Sequence, residues 1–157
     1  MKSDKVELTT AGYQTIVGLR DVYPECMKAD VPKLRRGLKY GVKTSLVPVK
    51  FILSVMEIEA WFLAEHNHFP LVDSAITVGA IQAALGFNPE SDDMSDRPQP
   101  TNDMMAAYGL GGKMYQKGAA KGTIDKLDYD YMYVVLRERI PELAELLTTI
   151  DGYLAQK

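Results

Sequence analysis

The stretch PVKFILSVMEIEAWFLAE, residues 48–65, decides the fold class of this chain, because an apolar run changes there into an acidic helical pattern. The apolar positions of the run are Phe51, Ile52, Leu53, Val55 and Met56. Such a run is too continuous for a half-solvated strand, so it predicts a strand buried on both faces, as in parallel α/β sheets.

Two glutamates follow this run directly. Glu57 and Glu59 stand where the strand pattern changes to a helical one, and Ile58, Trp61 and Phe62 form an apolar stripe at i, i+3 and i+4. Ligands of open α/β sheets bind beyond the carboxyl ends of the strands, so the two glutamates are candidate functional residues. The alternative is that both are ordinary N-terminal helix residues on a solvated face.

A second segment, AGYQTIVGLRDVYPE (residues 11–25), repeats this design. A short apolar run from Thr15 to Leu19 leads to Asp21, and Pro24 ends the element. If the two strands are neighbours in one parallel sheet, Asp21 and the two glutamates emerge at the same edge and can share a cation. The alternative for Asp21 is a turn or cap residue.

Composition places the chain among single-domain proteins of the reducing cytoplasm. It has 157 residues, 46% of them hydrophobic, a net charge of -3 and one cysteine, Cys26. No segment is apolar enough to span a bilayer or to act as a secretory signal. The chain has two histidines, His66 and His68, which are too few for a zinc enzyme. Their position in the sequence predicts a polar loop or a helix end.

Two basic segments are candidate phosphate-binding regions. VPKLRRGLKYGVK, residues 31–43, predicts a short helix, and GGKMYQKGAAKG, residues 111–122, sets Lys113, Lys117 and Lys121 four residues apart. The glycines of the second segment make a continuous helix doubtful but allow the backbone to approach a phosphate closely. The alternative is that each run forms a solvated surface.

The remaining segments predict helices and one long loop. A helix is expected over residues 77–86, closed by Gly86, and residues 87–102 read as a polar loop. Two helices complete the chain, at about 131–138 and at 141–155, and the second has Pro141 in its first turn. The predicted core face of this last helix consists of Leu143, Leu146, Leu147 and Ile150.

Several of these strings together resemble a bacterial family of uncharacterised TOPRIM-like proteins, related to the OLD-type nuclease domain and often encoded near phage-defence systems. VMEIEAWFLAE, at 55–65, resembles the HEFEALLFSD signature of that family. GLRDVYP, at 18–24, is similar to its strand that ends in Asp-x-Tyr. PQPTND, at 98–103, and LRERIPELAELLTTI, at 136–150, resemble a turn and the closing helix pair. The resemblance implies a TOPRIM-like α/β fold with a small, mostly parallel sheet flanked by helices.

The resemblance also implies a Mg²⁺- or Mn²⁺-dependent nuclease. Asp21, Glu57 and Glu59 would be its metal ligands and catalytic acids. Four side chains would contact the nucleic acid: Tyr23, Lys113, Lys117 and Lys121.

One part of the family pattern is missing from this chain. The first TOPRIM strand, with its glutamate and glycine, has no counterpart here, since Glu7 is not followed by glycine. We therefore expect a domain truncated at its N-terminus, whose site is completed by an upstream segment or a protein partner. Two other hypotheses are a non-catalytic module that binds nucleic acid or protein, and phosphotransfer with Asp21 as the acceptor.

Overall fold

The structure is a computed structural model that describes residues 11–22, 28–41 and 47–155. The chain divides into two compact units, of which the first ends at Val55 and the second begins at Met56.

A two-stranded parallel sheet organises the first unit. Strands β1 (Ile16–Asp21) and β2 (Val49–Ser54) pair in a register that sets Ile16 opposite Val49 and Asp21 opposite Ser54. The Val22 N–H donates to the Ser54 carbonyl at 3.0 Å and extends this pairing by one residue. The α/β class with a small parallel sheet, which the two apolar runs predict, is therefore confirmed.

A helix lies in the connection between the two strands, as a parallel pair requires. Helix α1, Val31–Gly41, follows a 3-10 turn at Lys28–Asp30 and matches the helix predicted for the first basic segment. The core of the unit consists of Val22, Val31 and Leu53, with Leu34 and Leu38 of α1 packed against them.

The second unit is helical throughout its described residues. Its α-helices are α2 (Glu59–Ala64), α3 (Phe69–Val72), α4 (Val78–Leu85), α5 (Pro100–Leu110), α6 (Lys121–Ile124), α7 (Tyr129–Tyr131), α8 (Arg137–Arg139) and α9 (Pro141–Leu154). A π-helix, Met132–Leu136, joins α7 to α8. The 3-10 turns of this unit are His66–His68, Met94–Asp96 and Lys117–Ala119.

Helix α2 is the most deeply buried element of the second unit. All six of its residues are buried, and it packs against α5 and the 3-10 turn Met94–Asp96. Trp61, Phe62 and Leu63 therefore lie in the core, as their apolar pattern indicates. Glu59 is buried with them, so the alternative that both glutamates lie on a solvated face is wrong for Glu59.

Local signals fix both ends of α4. The Thr77 hydroxyl accepts from the Ala80 N–H at 3.1 Å at the start, and Gly86 adopts a left-handed conformation, with φ at 76°, at the end. The helix predicted over residues 77–86 is thus confirmed, together with the residue that closes it.

Helix α9 begins at Pro141, as predicted, but its core face is shorter than the sequence indicates. Leu143 is buried, whereas Ile150 is 43% exposed, so the prediction that Ile150 faces the core is wrong. Tyr153 and Leu154 of the same end are exposed as well. No helix in the described ranges has the length and apolar character needed to cross a membrane.

Candidate active site

Glu57 lies two residues before the start of α2 and contacts two other parts of the second unit. One carboxylate oxygen, Oε1, accepts from Lys117 Nζ at 2.8 Å, and the other, Oε2, accepts from the Thr101 backbone N–H at 3.0 Å. Thr101 is in the first turn of α5, where backbone N–H groups lack intrahelical partners. Because Gln99 supplies no side-chain cap there, the Glu57 carboxylate caps α5 from a distant position in the sequence.

Glu59, the first residue of α2, is a buried carboxylate with only 1% of its side chain exposed. Its Oε1 accepts a hydrogen bond of 2.9 Å from the Tyr115 hydroxyl. Its Oε2 has no hydrogen-bond partner, although Lys117 Nζ lies 3.5 Å away and forms an ion pair with it. Burial of a carboxylate is costly unless it is paired, so Glu59 depends on Tyr115 and Lys117.

The ammonium group of Lys117 forms ion pairs with both carboxylates. The residue starts the 3-10 turn Lys117–Ala119, and its side chain is 46% exposed. Glu57, Glu59, Tyr115 and Lys117, called here the glutamate–lysine cluster, therefore combine two carboxylates, one cation and one phenol. The cluster offers hard oxygen ligands and a positive charge in one place.

Burial and hydrogen bonding together shift the pKa values of Glu57 and Tyr115. Burial acts to raise the pKa of Glu57, but the hydrogen bonds from Lys117 and Thr101 outweigh it, and the pKa lies below its ordinary value of 4.5. Burial raises the pKa of Tyr115 far above its ordinary value, and the hydrogen bond to Glu59 adds to that effect. Glu57 is therefore an ionised acceptor at neutral pH, and Tyr115 is a neutral donor.

The three lysines of the second basic segment do not share one helix face. Gly112 has a positive φ of 66°, and the chain then forms a 3-10 turn and the short helix α6 instead of a continuous helix. Lys113 Nζ lies 3.5 Å from Asp73 Oδ2, and Lys121 Nζ lies 2.6 Å from Asp125 Oδ2. Of the three, Lys117 is the one that the structure brings to Glu57 and Glu59.

A buried glutamate–histidine pair lies next to α2. Glu65 and His68 are both fully buried, and His68 Nδ1 is 3.0 Å from Glu65 Oε2 and 2.5 Å from the Glu65 carbonyl oxygen. His68 Nε2 is buried and has no hydrogen-bond partner. Both histidines lie in the 3-10 turn that follows the end of α2, as predicted, but the burial of His68 was not predicted; the Glu65–His68 spacing of three residues was the signal for this pair.

Asp21 and Tyr23 are the remaining predicted site residues. Asp21 is the last residue of β1 in the first unit, whereas the cluster belongs to the second. Tyr23 lies outside the described residues, as do Glu7 and Cys26. In residues 11–22, 28–41 and 47–155, no group of three or more histidine, cysteine, aspartate or glutamate side chains is arranged to hold a metal ion.

Comparison with known proteins finds no relative of this chain. No protein-family model, curated protein sequence or solved structure matches the chain significantly.

Proposed function

We propose that the protein is a metal-dependent phosphodiester hydrolase of the nuclease type, with Glu57, Glu59 and Lys117 at the centre of its site. The observation that supports this is the sharing of one ammonium group by two carboxylates, 2.8 Å from Glu57 and 3.5 Å from Glu59. Paired carboxylates that attract one cation form the kind of donor set that Mg²⁺ or Mn²⁺ prefers.

Two features of the carboxylates support this proposal. Glu59 Oε2 is a buried oxygen without a hydrogen bond, and Glu57 remains ionised because its pKa lies below the ordinary value. These two carboxylates would hold the metal ion, which when bound supplies Lewis-acid chemistry by activating water and neutralising charge on the phosphate. A TOPRIM-like sheet, which the sequence resemblance implies, is part of the same proposal.

The protein's own side chains divide the remaining tasks. Tyr115 stays protonated and orients Glu59, and the start of α5 orients Glu57 through the Thr101 N–H. Lys117 places a positive charge beside both carboxylates, where it can stabilise negative charge that develops on a phosphate. Two further points remain predictions from the sequence. They are that Asp21 is an additional metal ligand and that the protein acts in phage defence.

The first test is the thermal midpoint with and without millimolar Mg²⁺ or Mn²⁺, because a ligand that binds the folded state raises stability. Wild type is compared with Glu57→Gln, Glu59→Gln and Asp21→Asn. Asp125→Asn is the control, since Asp125 is also paired with a lysine but lies outside the cluster. We expect the metal to raise the midpoint of wild type and control, and not that of the two glutamate variants.

Cleavage of single- and double-stranded DNA and RNA is the second test. We expect metal-dependent cleavage by the wild type, lowered on the order of 100-fold in Glu57→Gln and unchanged in Asp125→Asn. Equal metal-induced shifts in wild type and both glutamate variants would contradict the proposed site. Absence of metal-dependent cleavage by the folded wild type would contradict the proposed reaction.

A second candidate is a non-catalytic module of the same fold that binds nucleic acid or protein. It is favoured by the ion pairs of Lys117, which already neutralise part of the charge of both glutamates without a metal. This candidate predicts nucleic-acid binding that weakens with salt and survives the double substitution of Glu57 and Glu59 by glutamine. Binding that is lost in that double variant would argue against it.

A further inference from the structure

The two compact units of the chain differ in the sign of their charge. Residues 1–55 contain ten lysines and arginines and five aspartates and glutamates, which gives the first unit a net charge of +5. Residues 56–157 contain eight basic and sixteen acidic residues, which gives the second unit a net charge of -8. Electrostatic attraction of a polyanion therefore has to come from the first unit.

Helix α1 carries four of the positive charges of the first unit. Its sequence, VPKLRRGLKYG, contains four basic residues and no acidic one. Its apolar side is already used, because Val31, Leu34 and Leu38 pack in the core of the unit. The helix therefore lacks the free apolar face that a membrane-binding helix needs, and its basic side is what remains for a partner.

Lys33, Arg36 and Tyr40 form one exposed stripe along α1, called here the basic stripe. The three residues stand at i, i+3 and i+7, so they lie on the same side of the helix. All three are exposed, and Tyr40, at 91%, has the highest exposure among the large hydrophobic residues that the structure describes. Gly37 lies on the same side, and a Cβ atom added there would meet no atom within 4 Å. The basic stripe is thus open to a partner.

The cations of the basic stripe have no partners in the described part of the chain. No hydrogen bond or ion pair of residues 11–22, 28–41 and 47–155 involves the side chain of Lys33 or Arg36. Arg35, which lies on another side of the helix, does have a partner. An anionic ligand of the basic stripe therefore does not have to displace an existing ion pair.

We propose that the basic stripe binds single-stranded nucleic acid, with phosphates at Lys33 and Arg36 and a base stacked on Tyr40. Positive charges that follow the backbone and an aromatic ring that stacks on a base are the common features of single-strand sites. A duplex keeps its bases stacked inside and would leave Tyr40 unused. This inference rests on the proposed function, because it names the substrate class of the nuclease and the surface that binds it.

The experiment measures binding of a fluorescein-labelled oligonucleotide of about 12 nucleotides to the full chain by fluorescence anisotropy. Divalent metal is chelated, so that binding is measured without hydrolysis. We expect an affinity that falls as the salt concentration rises, and tighter binding of the single strand than of the duplex of the same sequence. Three results would overturn the inference: no binding by the folded wild type, an affinity independent of salt, or tighter binding of the duplex.

The double variant Lys33→Gln/Arg36→Gln tests the phosphate contacts. It should lower the affinity about tenfold and reduce the slope of log affinity against log salt by about 1.4, since each phosphate contact with a single strand contributes about 0.7. Both residues are exposed, so the variant should keep the thermal midpoint of the wild type. Lys126→Gln/Arg139→Gln is the charge-matched control in the second unit, where both side chains donate to backbone carbonyls. Equal affinities of the variant and the control would overturn the inference.

Tyr40 variants test the stacked base. Tyr40→Phe keeps the ring and should bind the oligonucleotide like the wild type. Tyr40→Ala should lower the affinity about tenfold or more and leave the salt slope unchanged, because it removes stacking but no charge. Equal affinities of the two variants would overturn the inference.

An acidic protein is the other polyanion that a basic helix attracts. Polyglutamate at the same concentration of negative charge therefore serves as a competitor of the labelled oligonucleotide. We expect it to compete less well than the unlabelled oligonucleotide, since it offers no base to Tyr40. Equal competition by the two would overturn the inference and indicate an acidic protein as the partner.

Failure of the inference and failure of the proposed function give different results. The Glu57→Gln variant should bind the oligonucleotide at least as tightly as the wild type, because Glu57 belongs to the second unit and its removal lowers the negative charge. Binding that depends on the basic stripe, without any metal-dependent cleavage, would support the inference and reject the hydrolase. Metal-dependent cleavage at limiting substrate that is unchanged in Lys33→Gln/Arg36→Gln would support the hydrolase and reject the inference.

Discussion

Glu59 is the residue whose environment most constrains the candidate site. Its carboxylate is buried, and the Tyr115 hydroxyl provides the hydrogen bond to Oε1 while Lys117 provides a cation near Oε2. A buried acceptor that loses its partner incurs the full cost of desolvation. The stability of the second unit should therefore respond to the loss of a single phenol hydroxyl.

The variant Tyr115→Phe tests this dependence, because it removes the hydroxyl and keeps the ring. We expect the free energy of unfolding to fall by about 1–3 kcal/mol, measured by urea denaturation at neutral pH. Tyr129→Phe is the control, since the Tyr129 hydroxyl donates to the Ile124 carbonyl from a residue that is 57% exposed. The Tyr129→Phe substitution should lower the free energy of unfolding by less than about 0.5 kcal/mol. Equal costs for the two variants would show that Glu59 does not depend on Tyr115.

Glu57 leads to a prediction about acid stability. Because its pKa in the folded protein lies below the ordinary value of 4.5, the unfolded state binds a proton at this residue more readily than the folded state. Its contribution to stability is therefore present above that ordinary value and is lost as the pH falls through the lowered pKa. The free-energy difference between wild type and Glu57→Gln should thus be largest near neutral pH and shrink in acid.

Urea denaturation across the acidic range measures that difference. The exposed pair Lys121–Asp125 provides a control through Asp125→Asn, whose effect should be small at every pH, as for surface ion pairs in general. A difference between wild type and Glu57→Gln that grows on acidification would contradict the direction of the pKa shift.

At the scale of elements, the turn that ends α5 is held by close packing on a glycine. A Cβ atom added at Gly111 would lie 2.6 Å from Asp73 Cβ and 2.9 Å from Ile76 Cγ1, which is too close for either neighbour. Gly109 lies two residues earlier, within α5. A Cβ atom added at Gly109 would have no neighbouring atom within 4 Å. The two glycines therefore form a matched pair for substitution.

We expect Gly111→Ala to destabilise the protein by about 1–3 kcal/mol, because the added methyl group forces a shift of the packed segment. Gly109→Ala should be neutral or stabilising by up to about 1 kcal/mol, because alanine favours a helix interior. Thermal or urea denaturation of both variants measures the difference. Similar free energies of unfolding for the two variants would show that the segment around Asp73 and Ile76 can shift without loss of stability.

Elements with local signals could be predicted from the sequence. Strand β2 follows from its apolar run, and α4 follows from Thr77 and Gly86 at its ends. Helix α5 lies partly within the predicted polar loop, because its start carries two prolines and no side-chain cap. The Glu57 carboxylate that caps it is 44 residues away in the chain, so no local pattern contains that information.

The candidate site was predictable only in part for the same reason. The carboxylates Glu57 and Glu59 stand out in the sequence because they follow an apolar strand. Their partners do not, since Lys117 is 60 residues from Glu57 and Tyr115 is 56 residues from Glu59. Spacing within the basic segment gave all three lysines equal weight, and only the tertiary structure distinguishes Lys117 from the other two.

At the scale of the whole molecule, the two compact units have separate cores. The first is built on Val22, Val31 and Leu53, and the second on α2 and the helices that pack against it. The glutamate–lysine cluster belongs to the second unit. A compact unit with its own core can fold by itself.

We therefore expect a fragment that begins at Met56 to fold without the first unit. Circular dichroism should show a helical spectrum and a cooperative thermal transition, because the buried residues of α2 and α5 are in contact within the fragment. Tyr115→Phe should cost the fragment about as much free energy of unfolding as it costs the full chain, since Glu59 and Lys117 are both retained. A helical fragment that melts without cooperativity would show that the cluster needs residues before Met56. A fragment whose free energy of unfolding is unchanged by Tyr115→Phe would show the same.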